Sequence, residues 1–317
     1  MELATAQRPT LSDLGDDLPG GEVIELPIEI DSPLEHLERY TVLRLVGAGG
    51  MGKIYQAYDR LLERNVALKV MHADIPPREQ RRFRREAILG ARLLHPCLVR
   101  VYDMGVDARG QTEWMAMEYL PGTDMLQLLD ATRARRQALP WPALVRGLTQ
   151  VLMGLQYLHD CRVVHCDVKP ANMFVTRDPN TRFLTTKLLD LGIAYDLDGP
   201  RPGPTEPLCG DPNYIAPEQT VHGGVIDPRT DIYAVGVSLY ELATGVLPFE
   251  ELTSAPLHEL LLAQRDRTPP PPSSRMPAGT PPELADRLDW IFSRACAKDP
   301  ARRYPSARAM QAALHTE

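Results

Sequence analysis

Gly47, Gly49 and Gly52, in the stretch GAGGMG, have the spacing of a loop that approaches phosphate closely. Glycine has no Cβ, so its backbone can come near an anion and turn amide N–H groups toward it. Two other readings share the spacing, a dinucleotide-binding loop and a plain glycine-rich turn. A dinucleotide loop leads from strand into helix, whereas here KIYQAYD continues as a second strand, which favours a hairpin lid over nucleotide phosphates. Lys69 follows in VALK, with Ala67 and Val70 as apolar neighbours. A lysine so placed either snorkels from a strand edge or serves a phosphate. The second use asks for a carboxylate partner, because an ammonium taken out of water needs a counter-charge. Glu86, in RRFRREAILG, is the candidate; a surface ion pair with its arginine neighbours is the alternative.

Positioning these groups takes strands first and helices later. Residues 40–120 read mainly as strands around one helix. YTVLRLVGAGG, KIYQAYD and NVALKVM alternate as antiparallel strands do, and EWMAMEYL returns to that pattern. Between them PREQRRFRREAILGARLL sets Phe83, Ala87 and Leu94 near helical spacing. From about residue 121 the chain turns helical. In WPALVRGLTQVLMGLQYLHD, Leu144, Leu148, Val151, Leu152, Leu155 and Leu158 form the wide apolar stripe of a buried helix. DIYAVGVSLYELATG is apolar almost all round, which predicts a central helix. TPPPPSSRMPAGTPP, residues 268–282, reads as a stiff loop between two helices, with a PxxP partner site as the alternative.

Composition bounds the rest. The 317 residues are 44% hydrophobic and 24% charged, enough for two lobes and a large core. No stretch approaches the roughly 20 apolar residues of a membrane span, and the start lacks a basic-then-apolar secretory pattern. Five scattered cysteines, without CxxC spacing, point to a reducing, cytoplasmic setting with neither zinc nor structural disulfides. The net charge of −7 is uneven: residues 1–36 hold nine acids and one base, and the remainder has 33 acids against 34 bases. A nucleic-acid partner bound through a basic surface is therefore not expected. The acidic leader 1–36 reads as solvated and disordered. Ile24, Leu26, Ile28 and Ile30 alternate within it, which leaves open a strand that docks on the body or on a partner.

GAGGMGKIYQAYD, VALK, HCDVKPAN (165–172), DLG (190–192), APE (216–218) and DPARRY (299–304) occur in the order of the protein kinase motif set. On these six motifs the chain resembles the eukaryotic-type serine/threonine protein kinases of bacteria, over roughly residues 38–315. The resemblance implies an α+β, two-lobed kinase fold. A small antiparallel-sheet N-lobe with one helix would occupy 37–119 and a larger, mainly helical C-lobe 120–316. ATP and Mg2+ would be used, and proteins with Ser/Thr acceptors would be the substrates.

Roles follow from the same resemblance. Asp167 would accept or orient the proton of the substrate hydroxyl. Lys169 would neutralise the transferring γ-phosphoryl group, and a lysine there points to Ser/Thr specificity. Asn172 and Asp190 would hold magnesium, while Lys69 would bind the α/β-phosphates and pair with Glu86. Val46, Gly47, Gly49 and Gly52 would cover the nucleotide; Ile54, Ala67 and Phe174 would sandwich adenine. Met117 would guard the back of the pocket, with the Glu118 carbonyl and Leu120 amide bonding the base. Glu218 would pair with Arg303. Phosphoryl transfer needs positioning and charge neutralisation more than covalent help, and this set supplies both.

Two positions depart from the pattern. Cys166 replaces an arginine that clamps an activation-segment phosphate in many relatives, a bond worth roughly 1.5–3 kcal/mol. Activity independent of phosphorylation is the expectation, although Thr205 and Tyr195 lie in that segment. Asp211, in CGDPNYIAPE, replaces the threonine that bridges the catalytic aspartate and lysine. It could reach Lys169 but sets a second negative charge near Asp167. Cys166 and Cys209 together suggest a redox switch, against the plainer reading of small buried thiols. The runner-up to an active kinase is a pseudokinase scaffold or ATP-binding allosteric partner. Against it stands the intact quartet Lys69, Asp167, Asn172 and Asp190.

Overall fold

The alternation in residues 40–71 becomes three antiparallel strands, β1 (Tyr40–Gly49), β2 (Gly52–Asp59) and β3 (Arg64–Met71). The computed structural model describes residues 37–316 apart from Met51, Ala73, 108–111, Arg136, 178–182, 200–209 and His222. With β4 (Val101–Val106) and β5 (Glu113–Glu118) the strands form a five-stranded antiparallel sheet in the order β1-β2-β3-β5-β4. Side chains alternate between its faces. Val66, Leu68 and Val70 close one cluster with Tyr40, Tyr55 and Ala116. Met71, Val101 and Met115 meet Phe83 and Ala87 of helix α1 (Pro77–Arg92) on the other face. Lys69 has the parity of Met71, so it faces α1.

One helical expectation fails at its end. Leu94 lies beyond α1 and is 55% exposed, while Leu89 and Leu93 take the buried places. Pro96 disfavours helical backbone at His95, and the chain has already turned extended at Leu93.

The second lobe begins with β6 (Gly122–Asp124) and α2 (Met125–Ala134). Helix α3 (Trp141–Asp160) buries its whole leucine and valine stripe. Strands β7 (Val163–Val164), β8 (Met173–Arg177), β9 (Leu184–Leu188) and β10 (Tyr195–Asp196) follow, paired as β6-β8-β9 and β7-β10. Helix α4 (Pro228–Thr244) is buried without a break from Thr230 to Leu242, as its apolar circumference requires. Asp227 caps its start by accepting the Arg229 N–H at 2.7 Å, and Gly245 ends it at φ 82°, a left-handed turn that suits glycine. Helices α5 (Leu257–Asp266), α6 (Pro282–Ala295) and α7 (Ala307–His315) complete the lobe. The proline-rich segment joins α5 to α6, and Ser273 pins it to Asp289 through its N–H at 2.8 Å and its hydroxyl at 2.6 Å. Among the described residues no helix is long and apolar enough to cross a membrane. The leader 1–36, Thr205 and Cys209 lie outside the described residues.

Candidate active site

Strand β3 and helix α1 bring the first charged pair together. Glu86 sits one turn after Phe83 on the buried face of α1, opposite Lys69. The Lys69 ammonium donates to both Glu86 oxygens, at 2.9 and 2.7 Å. Burial alone would lower the Lys69 value, but the charges of Glu86 and Asp190 outweigh it and raise it. Burial also lifts the Glu86 carboxyl against the pull of Lys69; with Asp190 adding repulsion, it reaches about 7.

The loop after β7 gathers the second group. Asn172 donates its amide to the Asp167 carbonyl at 2.8 Å and to the Asp167 carboxylate at 2.9 Å. Lys169 Nζ stands 3.2 Å from the same carboxylate. Asp167 N–H donates to His165 Nδ1 at 3.2 Å, so the ring proton belongs on Nε2, which donates to the Leu189 carbonyl at 2.9 Å. That bond ties the loop to the strand end leading to Asp190. Asp190 has φ 61° and accepts the Gly192 N–H at 2.9 Å. Burial works to raise its carboxyl, but Lys69 and the Gly192 N–H prevail and hold it below the usual value.

The backbone of this loop is held from beneath by Asp231, which is fully buried in the first turn of α4. Its carboxylate accepts the His165 N–H at 2.9 Å, the Cys166 N–H at 2.9 Å and His159 Nε2 at 2.8 Å. Cys166 itself adopts φ 64°, a conformation that costs a non-glycine residue energy and that these bonds stabilise. In the sequence Asp231, opening DIYAVGVSLYELATG, argued for the large lobe of a protein kinase, but its bonds to the catalytic loop were not foreseen. The available signal was a carboxylate opening an otherwise apolar segment.

Asp211 reaches the loop in two ways. Its backbone N–H donates to Asp167 Oδ1 at 3.3 Å, and its carboxylate lies 3.8 Å from Lys169 Nζ. The other carboxylate oxygen accepts the Asn213 N–H at 3.1 Å and the Asn213 side-chain amide at 3.0 Å. Beyond it, Arg303, its side chain wholly buried, grips Glu218 at 2.8 and 2.7 Å, the pair expected from APE and DPARRY.

The remaining predicted residues sit on β1, β2, β3, β5 and β8, with Leu120 just after β5. Ile54 pairs with Gly47 and Lys69, and Ala67 pairs with Met117, across the sheet. Met117 packs on the α1-facing cluster, whereas Val46 is 40% exposed. The Glu118 N–H is taken by the Arg100 carbonyl at 2.8 Å, and the Glu118 side chain is paired with Lys187 at 2.9 Å. Lys187 sits opposite Phe174 in the β8–β9 ladder, and sequence reasoning missed it. The three glycines differ. A Cβ at Gly52 would fall 2.1 Å from the Val70 carbonyl oxygen, so the fold itself demands glycine there. A Cβ at Gly49 would meet nothing within 4 Å.

The comparisons with known proteins agree with this geometry. The family model described as protein kinase domain matches residues 40–315. Serine/threonine-protein kinase pkn3 of Myxococcus xanthus is 38% identical over 282 residues, covering 87% of this chain and 49% of that protein. Serine/threonine-protein kinase PknF of Mycobacterium tuberculosis is 37% identical over 270 residues, covering 84% of this chain and 53% of that protein. The chain thus spans about half the length of these relatives. The crystal structure of the Mycobacterium tuberculosis PknI kinase domain superposes with a TM-score of 0.65 at 30% identity, over 87% of this chain and 95% of that one. The matched family model, the paired lobes and the shared motifs place this chain in the eukaryotic-type serine/threonine protein kinase family of bacteria.

Proposed function

We propose that residues 37–316 form an active protein kinase domain that transfers the γ-phosphoryl group of ATP to Ser/Thr hydroxyls of proteins, with Mg2+. The observation that carries this reading is the simultaneous presence of two formed clusters: Lys69 with Glu86, and Asp167 with Asn172 and Lys169. Lys69 is then placed to hold phosphate oxygens, and Asp167 to orient the attacking hydroxyl and accept its proton. Lys169 lies beside Asp167, where charge passes between the acceptor oxygen and the phosphoryl group.

The donor set suits magnesium. Asn172 gives its NH2 group to Asp167, which leaves its amide oxygen for a cation. Asp190 has its carboxyl held in the ionised form. Among the described residues no three His, Cys, Asp or Glu side chains cluster as a metal site. Two protein oxygens completed by phosphates are the usual provision for Mg2+. When bound, that ion neutralises charge on the phosphates.

We further propose that this activity needs no phosphate on the activation segment. Cys166 offers no guanidinium, and the loop is fixed by Asp231 and by the Asp211 N–H. A reducing compartment fits the four described cysteines, all unbridged. The test is transfer of labelled γ-phosphate to a generic basic protein, with Asp167→Asn alongside. Label in the wild type alone is expected, before and after phosphatase treatment. No label in either protein, with nucleotide binding retained, would move the assignment to a pseudokinase scaffold.

A further inference from the structure

The Asp211 N–H that reaches Asp167 is the last link of a hydrogen-bonded chain that starts on α5, a helix with no part in the chemistry proposed above. Gln264 on that helix is 2% exposed. Its NH2 group donates to the Asn213 carbonyl at 2.8 Å, and its Oε1 accepts the Tyr233 hydroxyl at 2.5 Å. Asn213 gives both its backbone N–H and its side-chain amide to Asp211 Oδ1. Asp211 gives its own N–H to Asp167 Oδ1 at 3.3 Å and keeps Oδ2 at 3.8 Å from Lys169. The bonds run from α5 through Asn213 and Asp211 to Asp167 without a gap.

The orientation of the glutamine is determined by its partners. The Asn213 carbonyl can only accept, so the NH2 group must face it, and Oε1 is left for the Tyr233 hydroxyl. A leucine would fill the same buried volume without needing either bond. A glutamine there brings an amide out of water, which is tolerable only because both ends are satisfied. Of its two bonds, the one to Tyr233 stays within the helical core. The other leaves it for the segment that touches Asp167.

We propose that Gln264 is a positioning residue: through Asn213 it holds Asp211 so that the Asp167 carboxylate and Lys169 keep one arrangement. Its effect on turnover rests on the kinase reading above; the coupling between α5 and the catalytic loop does not. Catalysis then senses the placement of α5, and local loosening there reaches the reaction centre.

Two substitutions separate positioning from plain stability. Gln264→Leu removes the donor to Asn213 at similar volume, and Tyr233→Phe removes the other bond of Gln264 while leaving that donor in place. Amide hydrogen exchange over residues 165–169 and 210–216 is read beside thermal stability and steady-state kinetics. Faster exchange in both segments is expected for Gln264→Leu. With it kcat should fall about tenfold while KM for ATP stays within about twofold. Tyr233→Phe should lose stability without either effect. Should Gln264→Leu not fold, Gln264→Met, unbranched like glutamine and of similar volume, lacks the donor to Asn213 and carries the same expected readout. Wild-type exchange at 165–169 in the Gln264 variant would overturn the proposal, as would identical exchange and kcat changes in Tyr233→Phe. If the wild type transfers no phosphate, the kinase reading falls, and the exchange comparison still decides the coupling.

Discussion

Asp211 Oδ2 stands 3.8 Å from the Lys169 ammonium, which in turn stands 3.2 Å from Asp167 Oδ2. The aspartate in the position of the family's threonine therefore shares the lysine with Asp167 and anchors the segment through Asn213. Removing the carboxylate takes away both contacts. Asp211→Ala should lower kcat by about tenfold or more, since a charge-assisted contact is worth roughly 1.5–3 kcal/mol. Asp211→Thr keeps an oxygen for Lys169 and should stay within about threefold of wild type. Steady-state rates at saturating ATP decide between them.

The Glu86 carboxyl, lifted to about 7 by burial, gives activity and stability opposite pH trends. Protonation removes the charge that holds Lys69, so kcat/KM for ATP should decline on the acid side with a midpoint near 7. Stability runs the other way. A group whose folded value exceeds its unfolded value of 4.5 stabilises the fold fully below 4.5, and that contribution is lost as pH rises through about 7. Glu86→Gln should abolish the acidic limb, leaving a low plateau, and should flatten the matching part of the stability curve. A pH–rate profile and denaturant titrations across the same range check both halves.

Gly52 and Gly49 should respond differently to one methyl group. Gly52→Ala drives a Cβ toward the Val70 carbonyl and should cost about 1–3 kcal/mol of stability. Gly49→Ala enters open space and should change stability by less than about 0.5 kcal/mol. If the hairpin covers phosphates, Gly49→Ala raises KM for ATP several-fold. Melting curves paired with ATP titrations separate the two glycines.

The Glu218–Arg303 pair is structural, and breaking it should unfold rather than slow the protein. Arg303 also donates to the Arg229 and Ala297 carbonyls, at 2.9 and 2.8 Å. Glu218→Ala strands a buried guanidinium and should cost about 3–5 kcal/mol in denaturant titration. What remains folded should keep the wild-type KM for ATP.

The groups proposed for chemistry were legible because they sit in short runs. Asp167, Lys169 and Asn172 fall within six residues, and their geometry is local to one loop. The Lys69–Glu86 pair needed only strand parity and a helical turn. The groups that hold them were not legible. Asp231 bonds residues 65 to 72 positions away, and Gln264 bonds one 51 away. In LHELLLAQRD a glutamine reads like any surface residue of a helix. Lys187 found Glu118 only through the β8–β9 hairpin. Leu94 was misplaced because apolar spacing was followed past Arg92, where α1 ends and the chain turns extended at Leu93.

The single carboxylate of Asp231 joins the end of α3, the catalytic loop and the start of α4. Closing contacts over that separation takes conformational entropy that only a packed core can offset. The positive φ at Cys166 is therefore disfavoured in an isolated loop, which lacks the Asp231 carboxylate that holds it. During synthesis the segment carrying Asp167 emerges long before α4, and it gains its working shape only when that helix docks. On the proposed reading, phosphotransfer competence waits for that docking.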